Sequence, residues 1–354
     1  MQIGLTNVDA MAIGCAFLGC GGGGDVIAVQ AVKYALETHG PVPVLQLDAL
    51  PDDALVLPCA DMGAPTIFFE KVANGDEGRL LVEEMSRIYG RPVTALMPAE
   101  IGGSNGLTPI VWAARLGLPL VDADGIGRAY PELNMIALEI NGVSISPGIL
   151  ADERGNLVTI RSVDGPWMER IARSVAVEFG GAAAFAGYPL TAADARRAAV
   201  SGSISRAIDI GSALAVVEGD RDTGLCEHLG AHEIIRGKIV EIEGQVDGGF
   251  VVGSATIEGS GADAGRIVRL EYQNEFLVAL ENGLPLVMVP DIISLLDANS
   301  GDPIATERMR YGLRVALVGL SAPPIWTSEK GIALGGPRAF GYGFDYSPMG
   351  GEKA

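Results

Sequence analysis

Apolar positions recur along this chain in two textures, and the change from one to the other divides it. In the first texture, runs at helical spacing alternate with short continuous apolar runs. Asn7 stands at the N-cap of NVDAMAIGCAF, an Ala- and Met-rich stretch poor in strand formers, which predicts a helix over 7–17. Val26, Val29, Val32 and Leu36 then mark one face of a second helix that stops at Gly40-Pro41. The runs VPVLQL, ALVLPC, VTALMPAE and LPLVDADG read as strands, with helices near 76–89 and 105–116 between them. MIALEI, NGVSISPGIL and NLVTIRSV read as further short strands, and DGPWMERIARSVAVEFG as a helix. Such alternation predicts an α/β domain of three layers around a partly parallel sheet, placed at residues 1–165.

The second texture begins after two helical segments, TAADARRAAV and SISRAIDIGSALAVV. From about residue 232, short strands follow one another at even spacing across Gly or Asn turns: EIIRGKIVEIEG, GFVVGSATIEG, RIVRLEY, FLVAL, LPLVMVP and YGLRVALVGL. This predicts a mainly β, barrel-like domain with a helical lead-in at 166–354, the boundary falling within 160–200.

Composition narrows the function classes. The 354 residues carry a formal net charge of -19, which argues against nucleic acid or an anionic membrane surface as partner, because a phosphate binder clusters Lys and Arg. Hydrophobic residues make up 48% but aromatics only 6%, so the surplus is aliphatic and suits a large α/β core. Part of it is expected in a homo-oligomer interface. Cys15, Cys20, Cys59 and Cys226 form no CxxC, and MQIGLTNVDA lacks a basic leader, so a cytoplasmic protein with free thiols is expected.

Gly19, Gly21 and Gly24 spell G-x-G-x-x-G, yet a helix rather than a strand precedes them, and Asp25 places negative charge where a pyrophosphate would lie. A dinucleotide site is not expected. Gly21, Gly22, Gly23 and Gly24 with Asp25 are instead read as a substrate-contacting loop whose N–H groups hold a small anionic or polarised ligand, against the alternatives of a tight turn and an Asp25 N-cap.

In AEIGGSNGLTPIVWAARLGLPLVDADGIGRAYPELNM, Glu100 ends a strand, Asn105 stands at a helix start, and Asp122 and Asp124 close the next strand. On an extended backbone, residues two apart share a face at about 6 to 7 Å, so the two aspartates are candidates to flank a water or a metal. Arg128 and Glu132 follow and complete a candidate acid/base group. D-A-D-G is equally ordinary turn chemistry, with Arg128 as an ion-pair partner only.

LGCGGGGD, DMGAP, the segment from Glu100 to Met135, GKIVEIEGQVDGGFVVG, VPDIISLLDANSGDPIATERMRYGLRV and GPRAFGY, taken together and in this order, resemble the S-methyl thiohydantoin desulfurase-like family over nearly the whole chain. The resemblance implies an α/β domain followed by a β-barrel-like one, and hydrolytic removal of sulfide or a thiol from a thiohydantoin ring. It places the family's glycine block on Gly21 to Gly24 with Asp25, and its acid-rich block on Asp122, Asp124, Gly127, Arg128, Pro131 and Glu132. Cys20 stands where Thr is expected, which speaks against a Cys20 nucleophile.

The expectation is therefore a hydrolase of a small hydantoin- or thiohydantoin-like molecule. Asp122 or Asp124 activates water, directly or through a divalent metal; Glu132 protonates the leaving group; Arg128 and the glycine amides hold developing charge; Glu100 and Asn105 contact the ring. The alternative is a non-catalytic subunit that binds a small metabolite beside a hydantoinase-type enzyme. His228 and His232, spaced i,i+4 near Cys226, are a weaker metal candidate because no third ligand follows in order.

Overall fold

The computed structural model describes residues 1–23, 28–63, 67, 71, 73–216, 230–247 and 250–349. In the first half, the short apolar runs form strands β1 (Gln2–Ile3), β2 (Val42–Leu45), β3 (Leu55–Gly63), β4 (Val93–Pro98), β5 (Leu120–Val121), β6 (Ala123–Asp124), β7 (Gly148–Ala151) and β8 (Leu157–Ile160). Three more follow: β9 (Ala182–Ala186), β10 (Leu190–Thr191) and β11 (Val200–Ser201). The helices are α1 (Val8–Leu18), α2 (Val29–His39), α3 (Glu77–Tyr89), α4 (Thr108–Leu116), α5 (Ala137–Ile140), α6 (Gly165–Glu178), α7 (Ala192–Ala198) and α8 (Ser203–Val216).

The main sheet runs β1-β2-β5-β4-β3-β9-β7-β8, with β10 also paired to β3. Its centre, β2-β5-β4-β3, is parallel, and its flanks are antiparallel. Period-two alternation gives the central strand β3 two buried faces. Leu55, Leu57 and Cys59 of β3 enter one core with side chains of α1, α2, α3 and α4, while Val56 enters another with Met168 and Ala172 of α6 and Ala192 and Ala195 of α7. The result is the expected α/β domain in three layers. Strand β9 and helix α6, which runs on past the boundary expected at residue 165, belong to it.

Helices α1 and α8 touch where their side chains are smallest. A Cβ on Gly14 would overlap the Ala207 backbone, and one on Gly211 would overlap that of Ala10. Glycine in a helix interior costs about 1 kcal/mol relative to Ala, and here the close approach offsets it. Phe17 and Leu18 are fully buried on this side, contributing roughly 2–3 kcal/mol each.

Two local expectations change. MIALEI forms the short helix α5, not a strand: the Ala137 N–H binds the Gly125 carbonyl at 2.7 Å, and Ile136, Leu138 and Ile140 are all buried. A continuous apolar run does not separate strand from helix by period, and here the turn after Gly125 decides. The predicted strand through Asp122 is broken at that residue, which lies between β5 and β6.

The second half forms β12 (His232–Asp247), β13 (Phe250–Gly259), β14 (Ile267–Gln273), β15 (Glu275–Glu281), β16 (Leu284–Met288), β17 (Ile292–Asp297) and β18 (Arg314–Leu320). They pair antiparallel as β16-β15-β14-β13-β12-β18-β17, a half-barrel around Ile235, Ile239, Leu270, Phe276, Leu295 and Leu317. Beyond it, helix α9 (Glu329–Gly335) and its approach return to the first half. Trp326 Nε1 donates to the Ile126 carbonyl at 2.7 Å, and the Tyr130 hydroxyl donates to the Gly335 carbonyl at 2.8 Å. No helix among the described residues is long and apolar enough to cross a membrane.

Candidate functional site

Parallel strands of open α/β sheets deliver ligands to their C-terminal ends. The ends of β3 and β4 here open on a polar cleft of about 110 Å³. Asp61 comes from β3, Glu100 from just beyond β4, Asn105 from the turn entering α4, Gly23 from the glycine loop, and Glu275 from the start of β15 in the half-barrel. The cleft is thus closed from the second domain.

Asn105 organises the floor. Its Nδ2 donates to Glu100 Oε1 at 3.0 Å, and its Oδ1 accepts the Asp61 N–H at 2.8 Å. Glu100 Oε2 accepts the Tyr130 N–H at 3.0 Å, and the Thr108 hydroxyl donates to Asp61 Oδ2 at 2.6 Å. Glu275 is 3% exposed and its Oε2 has no hydrogen-bond partner among the described residues.

Burial dominates the electrostatics. It pushes the Glu100 carboxyl up to about 7, against the Asn105 and Tyr130 donors that favour the charged form. It pushes Asp61 up to about 6 despite the Thr108 bond. Glu275 is held well above the ordinary carboxylate range by burial and by the neighbouring Glu100, with Arg128 and the Gly23 N–H acting the other way. Perturbed carboxyls in a cleft are a recurrent mark of acid/base chemistry.

The glycines let Glu275 and Glu100 lie against the loop. Gly21 and Gly23 have φ of 86° and 73°, the left-handed region. A Cβ on Gly22 would overlap the Glu275 carboxylate, and one on Gly23 would meet Glu100 Oε1 at 3.1 Å. The loop also receives the second domain: Cys20 carbonyl accepts the Phe276 N–H at 2.7 Å, and Gly21 carbonyl accepts the Thr306 N–H at 2.9 Å. Gly24 and Asp25 lie outside the described residues.

The other residues singled out by sequence are placed as follows. Glu132 lines the cleft beside Glu100 and Asn105, its carboxyl raised by burial and by Glu169. Asp122, Asp124 and Arg128 do not line it. Asp122 Oδ1 accepts from Ser205 N at 3.0 Å, and its Oδ2 accepts from Gln46 Nε2 at 2.9 Å and the Ser205 hydroxyl at 2.5 Å. Asp124 accepts from the N–H groups of Ile101, Ile126 and Gly127 and from the Ser203 hydroxyl. Both oxygens of each aspartate are therefore engaged by protein donors, in two separate networks. Neither presents a free oxygen to a shared ion. Burial still raises Asp124 to about 6.

Arg128 is fully buried and joins the domains. Its guanidinium donates to the carbonyls of Ala129, Pro290, Asp291 and Phe276, and lies 4.4 Å from the Tyr130 ring centroid. Asp291 ties down the C-terminal segment, accepting from Ala322 N, the Tyr346 hydroxyl and Met349 N. Cys15, Cys20 and Cys59 are buried, and burial pushes each thiol up. His232 opens β12, whereas Cys226 and His228 lie outside the described residues. Among the described residues, no group of three or more His, Cys, Asp or Glu is arranged to hold a metal ion.

Sequence reasoning missed Asp61, Glu275 and Arg173 as cleft residues. Asp61 carried a usable signal, an acid at the end of a buried strand. Arg173 on α6 reaches the cleft wall while bonded to Glu169 at 2.5 Å, and nothing in its amphipathic surroundings marks it.

Fold and cleft together define a two-domain α/β and half-barrel protein with an acid-lined site where the sheet meets the second domain. The chain belongs to the S-Me-THD-like family: the family's N-terminal domain model matches residues 6–162 and its C-terminal domain model residues 163–349. The fold is shared with an X-ray crystal structure of a protein from Chromobacterium violaceum, at a TM-score of 0.81 and 24% identity over 99% of this chain and 100% of that one. No curated protein matches the chain.

Proposed function

We propose that the protein is a hydrolase that removes a thiol from an S-substituted thiohydantoin-like ring, and that Glu100 and Glu275 are its acid/base pair. The observation that carries this is the meeting of two buried carboxyls from different domains across Gly22 and Gly23, Glu100 raised to about 7 and Glu275 held well above the ordinary carboxylate range by burial. Near neutral pH such a pair holds one carboxylate and one carboxylic acid.

In this reading Glu100 takes a proton from water as the oxygen bonds to the ring carbon bearing sulfur. The C–S bond of the resulting tetrahedral carbon then breaks, and Glu275 gives its proton to the departing sulfur. The products are the ring carbonyl and a free thiol; Glu100 has gained the proton Glu275 has lost, and exchange with water resets both. Asn105 fixes the orientation of Glu100 and faces the ring. Arg173 is the cation nearest to hand for negative charge developing in the cleft, the role first assigned to Arg128.

The test is thiol release from an S-methyl thiohydantoin by the full chain. The account expects a rate that rises through about pH 7, as Glu100 ionises, and falls at higher pH as Glu275 loses its proton. Ligand binding without thiol release in the wild type, across that pH range and a panel of ring substituents, would leave a metabolite-binding protein instead.

A further inference from the structure

Asp61 and Ser104 line the reaction cleft on one side and, on the other, a second and larger chamber of about 420 Å³. Its walls are largely small or apolar, including Ala31, Val111, Trp112 and Ala183. The polar groups it contains are unevenly committed. Lys71 gives its protons to the Phe179 and Ala182 carbonyls, each at 2.6 Å, and pairs with Glu153 at 2.8 Å. Arg115 is bound to the Asn74 carbonyl at 3.2 Å and to Asp76 at 3.1 Å. Asp152 accepts the Arg154 and Asn156 N–H groups. His39, at the rim, is exposed.

Glu77 is different. It is 4% exposed, its Oε1 accepts the Asn74 N–H at 2.9 Å, and its Oε2 has no hydrogen-bond partner among the described residues. A buried carboxylate oxygen without a donor is costly, and a ligand donor is the simplest way to satisfy it. Asp61 stands at the junction, and its carboxyl and that of Glu77 feel each other's charge. Apart from His39 at the exposed rim, the cations of the chamber, Lys71 and Arg115, are spent on protein acceptors, and the buried group left uncommitted is the Glu77 carboxyl.

We propose that this chamber binds a positively charged nitrogen, an ammonium or amidinium at the end of an apolar arm, carried by the ligand whose ring occupies the cleft. The placement of the ring rests on the function proposed above; the preference for a cation rests on the chamber alone. Glu77 is the anchor, Asp61 the second carboxylate that the arm passes, and the apolar wall takes the methylene groups. A carboxylate arm of equal length would meet the Glu77 and Asp61 carboxyls, with Lys71 and Arg115 already bound to protein acceptors.

The experiment is calorimetric titration of the full chain with three hydantoins that differ only in the arm: 3-aminopropyl, propyl and 2-carboxyethyl. The amine should bind roughly tenfold or more tighter than the propyl compound, and the carboxylate more weakly than either. In Glu77→Gln, which keeps an oxygen for the Asn74 N–H, the advantage of the amine should vanish while propyl affinity stays within about twofold. Tightest binding by the carboxylate arm, or an amine preference unchanged in E77Q, overturns the proposal. If none of the three rings binds, the ring reading fails by itself, and butylammonium alone decides the chamber. Saturable binding to the wild type that is lost in E77Q supports it, and no binding overturns it. Should E77Q not fold, Val111→Trp, which fills the chamber from α4, must abolish butylammonium binding.

Discussion

Asp124 and Glu100 are both buried carboxyls beyond the ends of parallel strands, yet the molecule treats them in opposite ways. Asp124 is 0% exposed and surrounded by donors: three backbone N–H groups and the Ser203 hydroxyl close every approach. Glu100 is 6% exposed, accepts one bond at each oxygen, and opens on a cavity shared with Glu275, one of whose oxygens has no donor among the described residues. Burial raises both pKa values, so burial is not what separates them. The difference is unused hydrogen-bonding capacity facing a space that a ligand can enter.

The comparison breaks most sharply under substitution. Glu100→Gln keeps the size and, with its single oxygen, one of the two contacts to Asn105 and Tyr130, and should lower thiol release by about 10²–10⁴-fold in a chain that still folds, as read by rate assays alongside a thermal melt. Asp124→Ala should do the reverse in kind. It leaves buried N–H groups without an acceptor and should cost roughly 3 kcal/mol or more of stability in urea unfolding.

A pH series sharpens the contrast. The Glu100 carboxyl is raised from its ordinary 4.5 to about 7, so between those values the unfolded chain ionises while the folded one does not. Its contribution is fully present below pH 4.5 and is lost as pH rises to 7. The urea unfolding free energy of the wild type should therefore fall relative to that of Glu100→Gln across that window, by up to roughly 3 kcal/mol, and run parallel above it. An Asp124 variant should show the same sign over a lower window, ending near pH 6. The smallest effect belongs to Asp122→Asn, about 1 kcal/mol of stability from weakened bonds to Ser205, with thiol release unchanged.

Much of the architecture was legible because the aliphatic runs of β2, β3, β4 and the half-barrel strands are bounded by Gly, Pro and Asn, and helix α2 by Gly40-Pro41. MIALEI was not legible, since a run buried on all sides has no period to read. The site was legible only in part. Glu100, Asn105 and Glu132 stand in a segment whose local chemistry is conspicuous, and they do line one cleft. D-A-D-G is just as conspicuous, and its acids are consumed by donors from Gln46, Ser203 and Ser205, distant in sequence. Glu275 begins an ordinary strand and becomes notable only when folding brings it against Gly22. The four glycines advertised a close approach without saying that the visitor is a carboxylate of the same chain.

The measurement closest to the central claim is a ¹³C NMR titration of the Glu100 carboxyl in the full chain, set beside the pH dependence of thiol release. The account predicts a Glu100 midpoint near 7 that coincides with the rising limb of the rate. A Glu100 that titrates near 4.5, or a rate that is indifferent to its ionisation, would contradict it.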